Sequence, residues 1–161
     1  MIRIDIPATS ANLGSGFDSL GIALTMCNRV WMEEADELKI TTTDKIKVPT
    51  DETNLIYWAA RHLYQICGKT LPGLHIIQEN NIPMARGLGS SSACIVAGIL
   101  GANRMLGSPM SQSDLINLAA QIEGHPDNTS PAISGGLVAS AMEGKLSLIH
   151  ISEPTRLALI S

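Results

Sequence analysis

The sequence feature that most constrains the fold is the run from Ser91 to Leu106, which is dominated by Ala, Ile, Val and Leu. A helix that is apolar almost all the way around must be buried, because no face of it can meet water without exposing apolar surface. Gly98 and Gly101 lie inside the run, and their missing Cβ atoms allow another element to approach closely. The sequence therefore predicts a central helix packed against a neighbouring sheet.

The segments around this helix predict strands and two more helices. Ile2, Ile4 and Ile6 alternate with polar residues, which is typical of a strand; Pro7 closes it, and a loop follows from Ala8 to Gly16. The other predicted strands are 30–34, 38–42, 74–78 and 137–139, and the other predicted helices are 55–66, capped by Asn54 and ended by Gly68, and 111–122, capped by Ser111 or Ser113. We expect an α+β fold, a sheet with helices packed on one face.

Charge and composition narrow the class of protein. The net charge is −4, from 11 basic and 15 acidic residues, and no cluster of Lys or Arg stands out, which argues against nucleic acid as a partner. No window reaches the ~20 apolar residues that span a bilayer, and the N-terminus has no signal-peptide pattern, so we expect a cytoplasmic protein without a membrane partner. Cys27, Cys67 and Cys94 are an odd count without a CxxC pair, which favours reduced, structural cysteines.

The chain is divided by its patterning into residues 1–145, which we expect to form one domain, and a tail of residues 146–161. The tail, LSLIHISEPTRLALIS, has no clear continuation of the preceding strand–turn pattern. We interpret it as an atypical segment that is not native to the rest of the domain, and no functional hypothesis is based on it.

The most specific motif is Pro83-Met84-Ala85-Arg86-Gly87-Leu88-Gly89-Ser90-Ser91-Ser92-Ala93, between a predicted strand and the central helix. Glycines at 87 and 89 let the backbone curl around an anion, and the helix that follows contributes free amides and the positive end of its dipole. The motif lacks the Gly-Lys-Ser/Thr of a Walker A loop. On residue types alone, a tight turn with serine caps explains the same residues.

Two further motifs hold polar residues that could contact a small molecule. Asn12 and Asp18 lie in PATSANLGSGFD, and an amide and a carboxylate together suit an ammonium and a hydroxyl. Glu123-Gly124-His125-Pro126-Asp127-Asn128 follows a predicted helix, and its carboxylate could complete a Mg²⁺ site with a serine of the glycine loop. Ordinary polar turns account for both motifs when each is taken alone.

Together, and in this order, the three motifs resemble the signatures of the GHMP kinases (galactose, homoserine, mevalonate and phosphomevalonate kinases). Residues 83–93 resemble the family's ATP-binding motif nearly position for position, and the other two motifs are similar to the homoserine-phosphorylating members. The resemblance covers residues 2–145. It implies the N-terminal GHMP domain, a fold similar to domain 2 of ribosomal protein S5.

The resemblance implies roles for single residues. Asn12, Asp18 and His125 match positions that contact homoserine. Ser91 and Glu123 match the Mg²⁺ ligands, and Asn128 stands where other members carry a catalytic Asp, so Asn128, Ser91 and Glu123 form the implied catalytic set. The residues implied to bind ATP are Pro83, Met84, Ala85, Arg86, Gly87, Leu88, Gly89, Ser90, Ser91, Ser92 and Ala93.

The implied reaction is ATP- and Mg²⁺-dependent phosphorylation of the hydroxyl of L-homoserine to O-phospho-L-homoserine, a step toward threonine. Since the amide of Asn128 cannot accept a proton, the mechanism would depend on positioning the hydroxyl for in-line attack and on neutralising charge. Full-length members bring a second domain, with arginines that bind the substrate carboxylate, and we expect this chain to lack a counterpart. We therefore expect impaired activity, and exposed apolar surface that favours a homodimer.

Two alternatives remain open at this point. The chain could be a MgATP-binding module without transferase activity, since the second domain has no counterpart here. An RNA-binding domain of the S5 type is disfavoured by the acidic balance and by the lack of interleaved basic and aromatic residues.

Overall fold

The computed structural model describes residues 1–14, 16–143, 146–151 and 159–160. The strands within these ranges are β1 (Ile2–Leu13), β2 (Gly16–Glu34), β3 (Lys39–Thr42), β4 (Leu74–Glu79), β5 (Leu137–Glu143), β6 (Leu146–Ile151) and β7 (Leu159–Ile160). The helices are α1 (Leu55–Ile66), α2 (Ser90–Met105), α3 (Gln112–Glu123) and α4 (Thr129–Ser134). The predicted α+β class, with helices packed on a sheet, is confirmed.

The sheet is built around the long strand β2. Its strands follow the order β3-β4-β2-β1-β7, and β5 branches from β2 and pairs with β6. All pairs are antiparallel except β3 with β4. The C-terminal part of β2 pairs with β4 from Arg29 to Glu34, and its N-terminal part pairs with β5 from Leu20 to Ile22. One strand thus connects the core of the sheet to the segment that follows α4.

The β1–β2 hairpin corrects the prediction for the N-terminus. A strand that ends at Pro7, with a loop from Ala8 to Gly16, is wrong, because β1 continues to Leu13, opposite Gly16. Proline cannot donate a ladder hydrogen bond and is confined to edges and bulges of sheets. Here the register shifts between Pro7 and Thr9, so a local irregularity accommodates the proline and the strand resumes.

Helix α2 lies in the core, between the sheet and α1, as the apolar run predicts. Val96 and Ile99 on the helix are fully buried, together with Ile4 and Ile6 of β1 and Met32 of β2. By the usual estimate of about 25 cal/mol per Å² of buried apolar surface, each such side chain contributes about 1.5–3 kcal/mol to folding. The packing of α2 is therefore a main source of the fold's stability.

The two glycines of α2 serve different neighbours. A Cβ at Gly101 would lie 2.5 Å from Sδ of Met32 and 2.8 Å from Cδ1 of Ile4, which confirms the predicted close approach to the sheet. A Cβ at Gly98 would lie 2.3 Å from the backbone oxygen of Ile56, so Gly98 faces α1, and the prediction that it faces the sheet is wrong. Cα–Cβ directions of residues three positions apart on a helix differ by about 60°, so the two residues can contact different neighbouring elements.

The ends of α1 and α3 follow the predicted capping. The Asn54 side chain accepts hydrogen bonds from the amides of Ile56 and Tyr57. Ser111 and Asp114 form a reciprocal capping box at the start of α3. Helix α4 is absent from the predictions, because six residues that contain a proline give no helical period. Among the described residues, no helix is both long and apolar enough to cross a membrane.

The tail contributes backbone to the sheet where the sequence predicts no continuation of strands. β6 pairs with β5 from Leu146 opposite Glu143 to Ile151 opposite Val138, and β7 pairs with β1. Isoleucines at 149 and 151 favour extended backbone, which is a local signal for this strand. The domain boundary at residue 145 and the foreign origin of the tail stay predictions.

The two glycines of α2 give a matched test of core packing. We expect Gly98→Ala to lower the free energy of unfolding by about 1–3 kcal/mol, because the added methyl group meets the backbone of α1, which cannot rotate away. We expect Gly101→Ala to cost less, because its methyl group meets the flexible end of Met32, while the gain in helix propensity of about 1 kcal/mol is the same for both variants. Urea unfolding followed by circular dichroism measures both; equal losses would contradict the assigned neighbours.

Candidate active site

The glycine loop has a backbone suited to binding an anion. Ala85, Gly87 and Gly89 have φ angles of 55°, 68° and 66°, so left-handed residues alternate along the loop, and such alternation can turn successive N–H groups toward one point. Gly89 is the N-cap of α2, and none of the described side chains caps that helix end. Within the described part of the chain the start of α2 therefore lacks a side-chain cap, and the helix dipole adds positive potential there.

Gly89 lies at the meeting point of three segments. The amide of Thr9, in β1, donates to the carbonyl of Leu88 at 3.2 Å. A Cβ at Gly89 would lie 2.1 Å from Oγ1 of Thr9 and 3.3 Å from Oδ1 of Asn128. Only glycine fits this position, because of both its positive φ and its contact with Thr9. The loop is thus fixed against β1 and against the segment that precedes α4.

The three serines at the start of α2 have different environments. Ser91 is exposed, whereas Ser92 is 1% exposed and its hydroxyl donates to Oε1 of Glu123 at 3.0 Å. The other oxygen of Glu123, Oε2, is buried and has no hydrogen-bond partner among the described residues. The described hydrogen bond to Glu123 therefore comes from Ser92, one position after the predicted partner Ser91. The assignment of Ser91 and Glu123 as metal ligands stays a prediction.

A chain of polar contacts links the residues after α3. His125 Nδ1 lies 2.8 Å from Oδ1 of Asp127, and Nδ2 of Asn128 donates to the same oxygen at 3.3 Å. Oγ1 of Thr9 donates to Oδ1 of Asn128 at 2.8 Å. Asp127 is 1% exposed, and its backbone oxygen would lie 1.8 Å from a Cβ at Gly21. The missing side chain at Gly21 thus lets this segment lie directly on β2.

The predicted substrate residues Asn12 and Asp18 come together near the turn of the β1–β2 hairpin. The backbone amide of Asp18 donates to Oδ1 of Asn12 at 3.0 Å. Both residues have left-handed backbone, with φ of 59° and 53°, a conformation that is uncommon for side chains other than Asn, Asp and Gly and is enriched at functional sites. Among the described residues, no hydrogen bond joins this pair to His125 or Asn128.

Thr9 and Asp127 are site residues that the sequence analysis does not single out. Both lie inside the recognised motifs, Thr9 three positions before Asn12 and Asp127 directly before Asn128, and both are buried. A buried polar side chain is an informative observation, because burial without a partner is costly. The sequence gives no signal of that burial, since threonine and aspartate are mostly exposed residue types.

A pocket of about 270 Å³ opens beside the glycine loop. Its lining residues are Lys47, Val48, Pro49, Thr53, Asn54, Leu55, Gln78, Asn80, Met84, Ala85, Ser90, Ser91 and Cys94. Asn54 donates to Oε1 of Gln78 at 2.9 Å, and Gln78 donates to Oδ1 of Asn80 at 3.4 Å, so the polar groups in the wall orient one another. The pocket could accept a planar, partly apolar group whose anionic end reaches the start of α2.

The environment of the site changes the pKa of Cys94, which lies one turn into α2. Burial raises the pKa of the Cys94 thiol to about 11, and the nearby negative charge of Glu123 adds to the effect. Cys94 is therefore a neutral thiol at physiological pH. This supports the predicted structural role for this cysteine and argues against a nucleophile. Cys27 and Cys67 are each half-buried.

Comparison with known proteins places this geometry in a family. The profile described as the GHMP kinases N terminal domain matches residues 54–136, more than half of the chain. The chain belongs to the GHMP kinase family. That match includes the glycine loop and the Glu123–Asn128 motif, so the resemblance inferred from the sequence is confirmed, and with it the N-terminal GHMP domain.

Several homoserine kinases are similar to this GHMP kinase chain. It is 45% identical over 165 residues to a homoserine kinase of Petrotoga mobilis, covering 100% of this chain and 54% of that protein. It is 49% identical over 150 residues to one of Trichodesmium erythraeum, covering 89% and 49% respectively. A homoserine kinase structure from Cytophaga hutchinsonii superposes with a TM-score of 0.80 at 30% identity, covering 93% of this chain and 51% of that one. The chain thus spans about half the length of these relatives.

The raised pKa of Cys94 has a measurable consequence. At pH 8 a thiol with a pKa of about 11 is about 0.1% thiolate, so we expect iodoacetamide to modify native Cys94 at least about 30-fold more slowly than Cys94 of the urea-unfolded chain. The rate should rise with pH through about 11. Mass spectrometry of tryptic peptides measures it. Equal rates in the native and unfolded chains would contradict the assigned environment.

Proposed function

We propose that this chain binds MgATP and supplies the nucleotide-binding half of a site that phosphorylates the hydroxyl of L-homoserine to O-phospho-L-homoserine. The observation that carries the proposal is the start of α2, where no side chain caps the helix, next to the left-handed glycine loop and the 270 Å³ pocket. The homoserine kinase relatives support the choice of substrate. The reaction is a step toward threonine, and its partners are small molecules.

The nucleotide would lie with its phosphates on the glycine loop and its base in the pocket. Backbone amides of the loop and of the first turn of α2 would bind phosphate oxygens. Arg86 in the loop and Lys47 in the pocket wall are the cationic side chains placed along this path. The phosphates would be bound mainly by backbone amides and by few cationic side chains. Such a site suits a chain with a net charge of −4.

The residues at the start of α2 fit a Mg²⁺ ion. Oε2 of Glu123 is buried without a partner among the described residues, which is costly for a carboxylate unless a cation or donor meets it. Mg²⁺ commonly takes one or two protein oxygens and fills its other positions with phosphates and water. The described residues contain no preformed group of three acidic, His or Cys ligands. When bound, Mg²⁺ would neutralise charge on the phosphates; Glu123 and Ser91 would hold it.

The acceptor would lie between the β1–β2 hairpin turn and the segment after α3. The Asp18 carboxylate suits the ammonium of an amino acid, and Asn12 and His125 supply further polar contacts. Asn128 has an amide that cannot accept a proton, so the site would act by placing the hydroxyl in line with the terminal phosphorus. A homodimer and a cytoplasmic location stay predictions.

The proposed function is tested by calorimetric binding of MgATP and by ATP-dependent phosphorylation of L-homoserine, both with the 161-residue chain. We expect MgATP to bind, and Gly89→Ala to abolish binding, because the added methyl group would meet Thr9 at 2.1 Å. Gly68→Ala is the matched control: it has the same strained φ, +67° against +66°, in open space at the end of α1.

The outcomes of this test separate two functions. Turnover of homoserine supports the kinase in full. Binding without turnover indicates a MgATP-binding module, and fusion of the second half of a homoserine kinase relative should then restore turnover if the proposal is correct. A folded chain that neither binds nor turns over would refute the proposal.

The Mg²⁺ assignment predicts different effects of the neighbouring serines. We expect Ser91→Ala and Glu123→Ala each to weaken Mg²⁺-dependent ATP binding by about tenfold or more, because each removes a proposed ligand. Ser92→Ala removes only a hydrogen bond to Glu123 and should have a smaller effect. Calorimetry with and without Mg²⁺ measures this. If Ser92→Ala has the larger effect, the ligand is Ser92 and the assignment of Ser91 is wrong.

A further inference from the structure

Four side chains form one hydrogen-bonded network across two distant segments of the chain. Thr9 lies in β1, and His125, Asp127 and Asn128 follow α3. The Thr9 hydroxyl donates to Oδ1 of Asn128 at 2.8 Å, and Nδ2 of Asn128 donates to Oδ1 of Asp127 at 3.3 Å. His125 Nδ1 lies 2.8 Å from the same carboxylate oxygen. Thr9 and Asp127 are 0% and 1% exposed, so the two ends that hold Asn128 are fixed in the interior.

This network determines which way the Asn128 carboxamide faces. A carboxylate only accepts hydrogen bonds, so the group of Asn128 that meets Asp127 must be the NH₂. The oxygen then faces Thr9, whose hydroxyl can donate to it. The flipped carboxamide would place two oxygens together at Asp127, which is unfavourable in a buried setting. Thr9 and Asp127 therefore select one orientation of the two.

The selected orientation leaves one N–H of Asn128 without a partner among the described residues, while its oxygen already accepts one hydrogen bond, from Thr9. Asn128 is half-buried, and its Oδ1 lies 3.3 Å from the position of a Cβ on Gly89. The carboxamide is thus adjacent to the glycine loop. The hydrogen-bond donor that remains for a group bound nearby is the second N–H of Asn128.

We infer that Thr9 is a positioning residue, which together with Asp127 fixes the orientation of the Asn128 carboxamide so that one N–H remains available to the reacting groups. The inference rests on the proposed kinase function. Thr9 is buried, and its hydroxyl acts through Asn128.

In the transfer, a bond forms between the substrate oxygen and the terminal phosphorus, and the bond from that phosphorus to ADP breaks. The hydroxyl proton passes to a phosphoryl oxygen. The N–H of Asn128 would stabilise the negative charge on these oxygens, and its carboxamide would accept no proton.

The test uses Thr9→Val and Thr9→Ser in the 161-residue chain. Valine keeps the shape and the β-branch that suit β1 but has no hydroxyl, whereas serine keeps the hydroxyl. The readout is the pair of side-chain amide signals of Asn128 in ¹⁵N-labelled protein, assigned by their loss in Asn128→Asp. Each protein is titrated with MgATP, and its backbone spectrum reports whether it remains folded.

We expect the wild-type chain and Thr9→Ser to show two well-separated Asn128 signals, one of which shifts on addition of MgATP. In a folded Thr9→Val variant, the chemical shifts of the two Asn128 side-chain amide protons should move toward those of a free carboxamide. Their response to MgATP should be lost. An unchanged Asn128 response in folded Thr9→Val would overturn the inference. If Thr9→Val does not fold, Thr9→Ser still decides, because loss of the response in that variant, which keeps the hydroxyl, would also overturn it.

Kinetics give the second readout. We expect Thr9→Val to lower kcat for homoserine phosphorylation by about 10- to 100-fold, as small misplacements of catalytic groups do, with KM for ATP changed by no more than about twofold. Thr9→Ser should restore most of kcat. A rise in KM alone would indicate a role in binding and overturn the inference. If the wild-type chain binds MgATP without phosphorylating homoserine, kcat is measured on its fusion with the second half of a homoserine kinase relative. A fusion without turnover would mean that the proposed function fails, and the NMR result would still decide whether Thr9 orients Asn128.

Discussion

The burial of α2 is the constraint on which the rest of this structure depends. The helix packs against the sheet at Gly101 and against α1 at Gly98, at distances that leave no room for a side chain at either position. Because the helix cannot shift between these neighbours, its N-terminus has one place in the molecule. That place is next to Thr9 of β1 and to the segment after α3, so the packing of the core also fixes the glycine loop at the candidate site.

The chemistry of the site follows from backbone and geometry more than from charged side chains. Left-handed residues alternate in the glycine loop, and the first turn of α2 has no side-chain cap. Around this candidate anion site, buried side chains hydrogen-bond to partly exposed ones: Ser92 to Glu123, and Thr9 and Asp127 to Asn128. Fixed dipoles of this kind do not have to reorganise when charge develops, which is the condition for electrostatic catalysis of phosphoryl transfer.

The sequence predicted those parts of the site that depend on residue type and local spacing. Glycines 87 and 89 before an apolar helix predict an anion loop, because only residues without a Cβ readily take the backbone angles that such a loop needs. Asn12 and Asp18 have left-handed backbone, and their predicted contact with the substrate stays a prediction. The sequence did not predict the end of β1, because strand pairing determines it: Pro7 does not end β1, since β2 continues to pair beyond it. It also did not predict α4, which is too short to show a helical period of apolar residues.

The sequence by itself determined the buried helix, the capped ends of α1 and α3, and the glycine-serine loop, because each depends on residues within a few positions of one another. Only the tertiary structure decided that Gly98 faces α1, that Ser92 meets Glu123, and that Thr9 meets Asn128, 119 positions further along the chain. Contacts at such separations depend on strand register and on the direction in which a helix face points. Neither is encoded in a local pattern, since both are set by the packing of the whole core.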